Sequence, residues 1–321
     1  VIFTYTMRNR SYKKIAVALS VISFLLFLVS LPNDVQRELE EQQNVIEEPP
    51  NVMAEQDPQA APKQRPIVKT FFQPLADPDS NEVSQDPLLK VWKDEWEMAG
   101  FEPQVVTMED ARKHPYYDTM KDAVEKVFKT DRYNQYCFFR YLAMATTGGG
   151  WHVDYDTIPA NFPTGEAAPL PNGGKFTSYQ VFVPALISAS EEEWTRVSKL
   201  LVEQISISDE NFKSDMRMLR DLYINENFLN AYGGVPYDID FKGWESTFVL
   251  QPEEAVKERH VINCERMNKA FAIHFSHVHM VKLYRRGAHP LDINEIKNRG
   301  KAIKVIMDEY RDQCKASSIS L

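Results

Sequence analysis

Two aspartates stand one residue apart, directly behind three glycines, in the stretch TTGGGWHVDYDTIP at residues 146–159. The pattern over residues 151–156 predicts a strand, on which residues i and i+2 face the same way. Asp154 and Asp156 would then project together, and two such carboxylates repel each other unless a cation lies between them. Carboxylate oxygens suit Mn²⁺ or Mg²⁺, which complete their shells with water and substrate phosphates. The pair therefore predicts a divalent metal site.

The elements around the pair strengthen this interpretation, because a bare D-x-D sequence is also common on solvated loops. An apolar helix is predicted over residues 134–146, and the glycines at 148–150 end it. Seven prolines and glycines between residues 159 and 174 then predict a long loop. Ligands of α/β sheets bind outside the carboxyl ends of the strands, where such a loop can close over them.

The remaining periodicity predicts an α/β domain with a mixed, mainly parallel sheet. Strands are predicted at residues 67–72 and 101–107, and a helix at 88–99 lies between them. This strand, helix, strand order is typical of a parallel α/β unit. The later predicted elements are helices at 190–205, 214–223 and 294–313, paired strands at 176–187 and a strand at 270–279.

The N-terminal region predicts a membrane anchor. Residues 15–31 contain no charged side chain, and basic residues precede them. A helix of this length reaches roughly 26 Å, which is inside the range that spans a bilayer. By the positive-inside rule, residues 1–14 form a cytosolic tail, 15–31 a transmembrane signal anchor, 32–65 a disordered stem and 66–321 a lumenal domain. A cleavable signal peptide is the competing interpretation.

Composition narrows the class of partner. The formal net charge is -9 at pH 7, and lysine and arginine do not cluster, so no nucleic-acid partner is expected. Three cysteines, Cys137, Cys264 and Cys314, allow one intramolecular disulfide and leave its pairing open.

The segment from Arg140 to Asp156 resembles the glycosyltransferase family with a DXD-containing sugar-binding region, which includes Golgi mannosyltransferases and galactosyltransferases. The family pattern is an arginine on a helix, an apolar turn, two glycines, an aromatic residue, an apolar residue and D-x-D. The chain reads RYLAMATTGGGWHVDYD here. Similarity extends from about residue 66 to 159. The resemblance implies a GT-A fold, in which a Rossmann-like domain holds a nucleotide sugar through Mn²⁺ or Mg²⁺, and a transfer with retention of configuration.

The resemblance also implies roles for individual residues. Asp154 and Asp156 become the metal ligands and, with Arg140, the catalytic residues. A downstream histidine completes the metal shell in several relatives; His277 is the first choice here and His274 the second. The residues assigned to the nucleotide-sugar donor are Arg140, Gly149, Trp151 and Asp154.

Three positions leave alternatives open. Many relatives carry an aspartate three residues before the arginine, whereas this chain has Cys137, so the donor sugar is not determined. Asp215, at a predicted helix start, either faces the acceptor or caps the helix. Asp238 and Asp240 form a second D-x-D, which no glycine-rich turn precedes, and a loop or an acceptor rim is expected there.

These observations predict a metal-dependent glycosyltransferase of the Golgi membrane that moves a sugar from a nucleotide donor to a glycan or glycolipid hydroxyl. Cleavage of a nucleotide sugar leaves negative charge on the departing diphosphate, and a divalent ion stabilises that charge. The alternatives are a membrane-tethered protein that binds nucleotide sugars or glycans without turnover, and a structural protein with no ligand.

Overall fold

A computed structural model describes eight segments of the chain: residues 65–74, 86–163, 170–207, 214–232, 237–243, 248–257, 261–287 and 299–315. The predicted tail and anchor, and residues 32–64 of the predicted stem, lie outside these segments. Within them, no helix combines the length and the apolar character needed to cross a membrane.

The described strands form two sheets. In chain order they are β1 (Ile67–Phe71), β2 (Glu102–Val106), β3 (Gly150–Val153), β4 (Thr157–Pro159), β5 (Thr177–Ser178), β6 (Leu186–Ala189), β7 (Asp240–Phe241), β8 (Val249–Leu250) and β9 (Ala272–His274). Six strands form one sheet in the order β2-β1-β3-β6-β5-β7, and three form a second sheet in the order β4-β9-β8.

The predicted fold class is wrong. It combined a Rossmann-like GT-A domain and its mainly parallel sheet with a transmembrane helix, whereas the described residues contain no helix that could span a membrane. The architecture is mixed α/β with both strand directions in each sheet. Strand β1 runs parallel to β2 and β3, but β6 runs antiparallel to β3 and β5. In the second sheet, β9 runs antiparallel to β4 and parallel to β8.

Helices pack on both faces of the larger sheet. The α-helices of the described residues are α1 (Asp86–Met98), α2 (Met108–Arg112), α3 (Tyr117–Phe128), α4 (Arg132–Thr146), α5 (Glu191–Ile207), α6 (Asp215–Tyr232), α7 (Pro252–Ala255), α8 (Cys264–Met267), α9 (His277–Arg285) and α10 (Arg299–Tyr310). The helices predicted over residues 88–99, 134–146 and 190–205 are confirmed to within two residues at each end.

Two hydrophobic clusters account for this layering. Neighbouring residues of β6 belong to different clusters. Leu186 belongs to the cluster that contains residues of α1 and α10, and Ile187 belongs to the cluster that contains residues of α4 and α5. Side chains alternate across a strand, so both faces of the larger sheet are buried. Strand β3 runs between the two clusters, and the chain leaves it at Val153 to enter the second sheet at Thr157.

A disulfide joins Cys264 of α8 to Cys314 in the helical segment Arg311–Lys315, which follows α10. Cys137 is left as a free thiol. The bridge closes a loop with a sequence separation of 50 residues. A cross-link that closes a loop of this size typically stabilises the fold by about 4 kcal/mol, because the unfolded chain loses conformational freedom.

Candidate metal centre

The two aspartates lie on a tight turn rather than along a strand. Strand β3 ends at Val153, and the Thr157 amide donates a hydrogen bond to the Asp154 carbonyl oxygen at 2.8 Å. The predicted strand over residues 151–156 is therefore too long by three residues. Strand β4 pairs with β9 instead of continuing the first sheet, and this change of sheet forces the turn.

The turn brings both carboxylates to a histidine from a distant part of the sequence. Thr157 pairs in register with His274, the last residue of β9. One ligand atom each from Asp154, Asp156 and His274 lie within 4.8 Å of one another. Two carboxylates and an imidazole are a suitable donor set for Mn²⁺. The residues present therefore fit the divalent ion that the sequence predicts.

The structure brings His274, not His277, to the aspartates. The strand predicted over residues 270–279 ends at His274, and His277 is the exposed first residue of α9. His279 also lies elsewhere, with its Nδ1 2.6 Å from Glu253 Oε1. The alternating sequence pattern continues past the strand, but the chain becomes helical at His277. His277 and His279 therefore lie away from the turn that carries Asp154 and Asp156.

Arg140 joins the turn to α6. Its Nη1 donates to Asp154 Oδ1 at 2.8 Å, and its Nη2 donates to Asp215 Oδ2. The Tyr141 hydroxyl lies 3.4 Å from the same Asp215 oxygen. Arg140 and Asp215 are 8% and 3% exposed, so this ion pair is almost fully buried. Asp215 begins α6 but points its carboxylate into the site as well.

Asp154 is held in its ionised form. Burial opposes ionisation, but the Arg140 guanidinium and the His152 imidazole outweigh it and lower the pKa of Asp154 to about 2. His152 Nε2 lies 3.3 Å from Asp154 Oδ1. Burial lowers the pKa of His152, against the pull of Asp154, so this imidazole is neutral at pH 7.

A second guanidinium stands beside Asp156. Arg299, the first residue of α10, is 5% exposed, and its Nη1 lies 3.4 Å from Asp156 Oδ2. Its Cζ is also 5.8 Å from the centroid of the Tyr155 ring. Sequence reasoning missed this residue, since Arg299 is far from the turn along the chain and no motif marks it.

The charge of the cluster favours binding of a cation. Its members are three aspartates and two arginines: Asp154, Asp156, Asp215, Arg140 and Arg299. In their ordinary ionisation states at pH 7 these five side chains sum to 2 − 3 = −1, and His152 adds no charge. A divalent ion would compensate the excess and relieve the repulsion between the carboxylates.

Cys137 lies on the same helix as Arg140 and one turn before it. Burial raises the pKa of Cys137, so the thiol is neutral at pH 7. Position 137 thus carries no carboxylate, and Asp215 supplies one to Arg140 from another helix.

Gly149 and Trp151, the other residues assigned to the donor, support strand β3. The Gly149 carbonyl accepts a hydrogen bond from the buried Lys69 Nζ at 2.8 Å. The Trp151 ring packs on Phe162 and Tyr179, with centroid distances of 4.9 and 5.3 Å. Neither residue belongs to the Asp154–Asp156–His274 cluster.

Substitution of Gly149 by alanine is expected to destabilise the protein by about 3 kcal/mol, through overpacking and strain. Its φ is +65°, and a Cβ there would lie 2.6 Å from the Glu191 amide nitrogen and 2.7 Å from the Ala189 carbonyl oxygen. Gly148→Ala is the matched control, because its φ is +83° but its Cβ would meet nothing within 4 Å. Urea unfolding should show a loss of only about 1 kcal/mol for the control. Equal losses would contradict the close packing.

The second D-x-D motif lies apart from this cluster. Asp240 begins β7 and pairs with Lys242 at 2.6 Å, and the Asp238 carboxylate pairs with Lys175. Asp238 has a φ of 60° and a side chain that is 68% exposed. Both carboxylates have lysine partners, and neither joins the metal ligands.

Comparison with known proteins gives one family match. A family model described as "Domain of unknown function (DUF8765)" matches residues 55–201. No curated protein matches the chain significantly, and neither does any solved structure. The matched region includes Arg140 and both aspartates of the turn, and it ends before Asp215, His274 and Arg299.

Proposed function

We propose that the chain is a metal-dependent glycosyltransferase that moves a sugar from a nucleotide-sugar donor to a hydroxyl of a glycan or glycolipid. The observation that carries this proposal is the convergence of Asp154, Asp156 and His274 within 4.8 Å, beside two buried arginines. The resemblance of the segment around Arg140 to the DXD-containing glycosyltransferases supports the same reaction class.

In this proposal, one group of residues binds the diphosphate of the donor and another group binds its sugar. Asp154, Asp156 and His274 would hold Mn²⁺ or Mg²⁺, which when bound neutralises charge on the donor diphosphate. Arg299, next to Asp156, donates hydrogen bonds to the diphosphate oxygens and remains as a fixed cation when the diphosphate leaves.

The sugar half of the donor lies towards Arg140 in this proposal. Arg140 is fixed between Asp154 and Asp215, so its guanidinium keeps its orientation when the donor enters. A neutral thiol is a poor hydrogen-bond acceptor, and Cys137 therefore cannot replace a carboxylate in reading sugar hydroxyls. Asp215 takes that role, since it brings a buried carboxylate oxygen to the same place.

The compartment and the stereochemistry complete the proposal. Disulfides persist in oxidising compartments, so the bond between Cys264 and Cys314 supports a location in the Golgi lumen. From the resemblance to the DXD-containing glycosyltransferases, we infer that the sugar is transferred with retention of its anomeric configuration.

The proposal is tested by screening nucleotide sugars against the purified full-length chain. One donor is expected to raise the melting temperature in the presence of Mn²⁺ and to lose that effect with EDTA, because a ligand stabilises only the state that binds it. The same donor should release free sugar slowly when Mn²⁺ is present. If no nucleotide sugar shifts the melting temperature with either ion, the proposed reaction is wrong.

A non-catalytic binding protein is the second candidate, and Cys137 is the observation that favours it. A half-buried thiol in place of the carboxylate that contacts the donor is a change that a protein without turnover would tolerate. This candidate predicts Mn²⁺-dependent thermal stabilisation by a nucleotide sugar with no release of free sugar and no transfer. The two functions therefore differ in turnover and agree in binding.

A further inference from the structure

Gln180 is a buried side chain whose amide contacts the metal-binding histidine. It lies between β5 and β6, is 4% exposed, and its Oε1 is 3.0 Å from His274 Nδ1. Its Nε2 has no hydrogen-bond partner among the described residues. A buried amide usually has hydrogen-bond partners for both its oxygen and its nitrogen. Here the contact of the oxygen with His274 Nδ1 is the one side-chain hydrogen bond that the described residues give to Gln180.

This contact selects one tautomer of the imidazole. An amide oxygen only accepts hydrogen bonds, so with Oε1 facing the ring this contact is a hydrogen bond when His274 carries its proton on Nδ1. Nε2 then presents a lone pair, and it lies 3.5 Å from Asp156 Oδ1. Two lone pairs facing each other at this distance are unfavourable, and a cation between them removes the conflict. A hydrogen bond to the second ring nitrogen is also how metal-binding histidines are usually oriented.

The backbone beside Gln180 is strained in a way that fixes this orientation. Val181 has a φ of 53°, a conformation that a β-branched residue rarely adopts and that costs on the order of 1–3 kcal/mol. The Val181 amide donates to the Lys242 carbonyl at 3.1 Å, and the Val183 amide donates to the Gln180 carbonyl at 2.9 Å. These bonds hold a turn that directs the Gln180 side chain towards His274.

We propose that Gln180 is a positioning residue that holds His274 as the Nδ1–H tautomer and so prepares its Nε2 for a divalent ion. The inference rests on the proposed function for the identity of the metal centre. The tautomer itself is a property of the protein before any ion binds, and it is measured separately.

The test uses the full-length chain, labelled with ¹⁵N-histidine, and two variants of similar size. Gln180→Glu keeps an acceptor oxygen, whereas Gln180→Met removes it. In EDTA, ring-nitrogen NMR shifts should show the Nδ1–H tautomer of His274 in the wild type and in Gln180→Glu, and a mixture of tautomers in Gln180→Met. His274→Gln identifies the resonance. Electron paramagnetic resonance with Mn²⁺ alone should give a Kd that rises about 10–100-fold in Gln180→Met and is restored in Gln180→Glu.

Each outcome decides a stated point. If the wild-type NMR shifts show the proton of His274 on Nε2 rather than Nδ1, the inference is overturned, whether or not Mn²⁺ binds. This measurement uses only the wild type, so it does not depend on the folding of a variant. Wild-type tautomer and wild-type Mn²⁺ affinity in a folded Gln180→Met also overturn it. If the tautomer shifts as expected but the wild type binds no Mn²⁺, the positioning role is supported and the metal centre of the proposed function is lost.

Discussion

Asp156→Asn is expected to lower kcat/KM for metal-dependent donor hydrolysis by about 10³-fold, a loss of about 4 kcal/mol in transition-state stabilisation. Asparagine keeps the size of the side chain and removes its charge. In the cluster, Asp156 lies beside both His274 and Arg299, and it has no duplicate among the described ligands. The loss should therefore not be recovered by raising the donor concentration.

The measurement is steady-state hydrolysis of the donor found in the nucleotide-sugar screen, with Mn²⁺ titrated for each variant. Asp240→Asn is the matched control, because it makes the same change in the second D-x-D motif, where Lys242 is the partner. The control is expected to stay within about twofold of the wild type, as surface pairs contribute little. An Asp156→Asn variant that keeps a tenth of wild-type kcat/KM would show that this carboxylate does not hold the ion.

The first half of the domain could be predicted because its signals are local. Helix α4 has a buried apolar face, and the glycines at residues 148–150, all with positive φ, end the helical segment. Strands β1 and β2 are short segments of five residues on either side of α1, and both contain β-branched residues. Such patterns depend on neighbours within a few residues, so one sequence contains enough information to place them.

The turn that carries the aspartates could not be predicted in the same way. Its position depends on β4 pairing with β9, a contact between residues more than 110 apart in the chain, as the pair Thr157 and His274 shows. The D-x-D pattern is compatible with both a strand and a turn. The two carboxylates do lie close together, as expected, but a turn brings them together and not the alternation of side chains along a strand.

The choice between His274 and His277 shows the same limit. Alternating residues run from the strand into the helix, and the chain changes conformation at Ser276, which precedes the first helical residue. Nothing in that stretch determines which histidine faces the turn. Arg299 and Gln180 were missed for a related reason, since only the folded chain brings α10 and the turn after β5 to the ligands.

Replacement of Arg140 by methionine is expected to destabilise the metal-free protein by about 3–5 kcal/mol at pH 7. Methionine keeps much of the side-chain volume, but it leaves the carboxylates of Asp154 and Asp215 without their shared guanidinium. Urea unfolding in EDTA measures the loss. Lys90→Met, in the exposed pair with Asp94, makes the same change of charge and should cost less than about 1 kcal/mol.

The pH dependence distinguishes loss of the ion pair from loss of packing. In the wild type, the low pKa of Asp154, about 2 against an ordinary 3.8, stabilises the fold above pH 4 and ceases to do so as the pH falls through 2. Without Arg140, burial raises the pKa of Asp154, so the variant regains stability when this carboxyl takes up a proton. The difference between the two proteins should shrink by about 2 kcal/mol from pH 7 to pH 3. If the difference in the free energy of unfolding between the two proteins stays constant from pH 7 to pH 3, the loss is due to packing, and Arg140 does not stabilise the ionised form of Asp154.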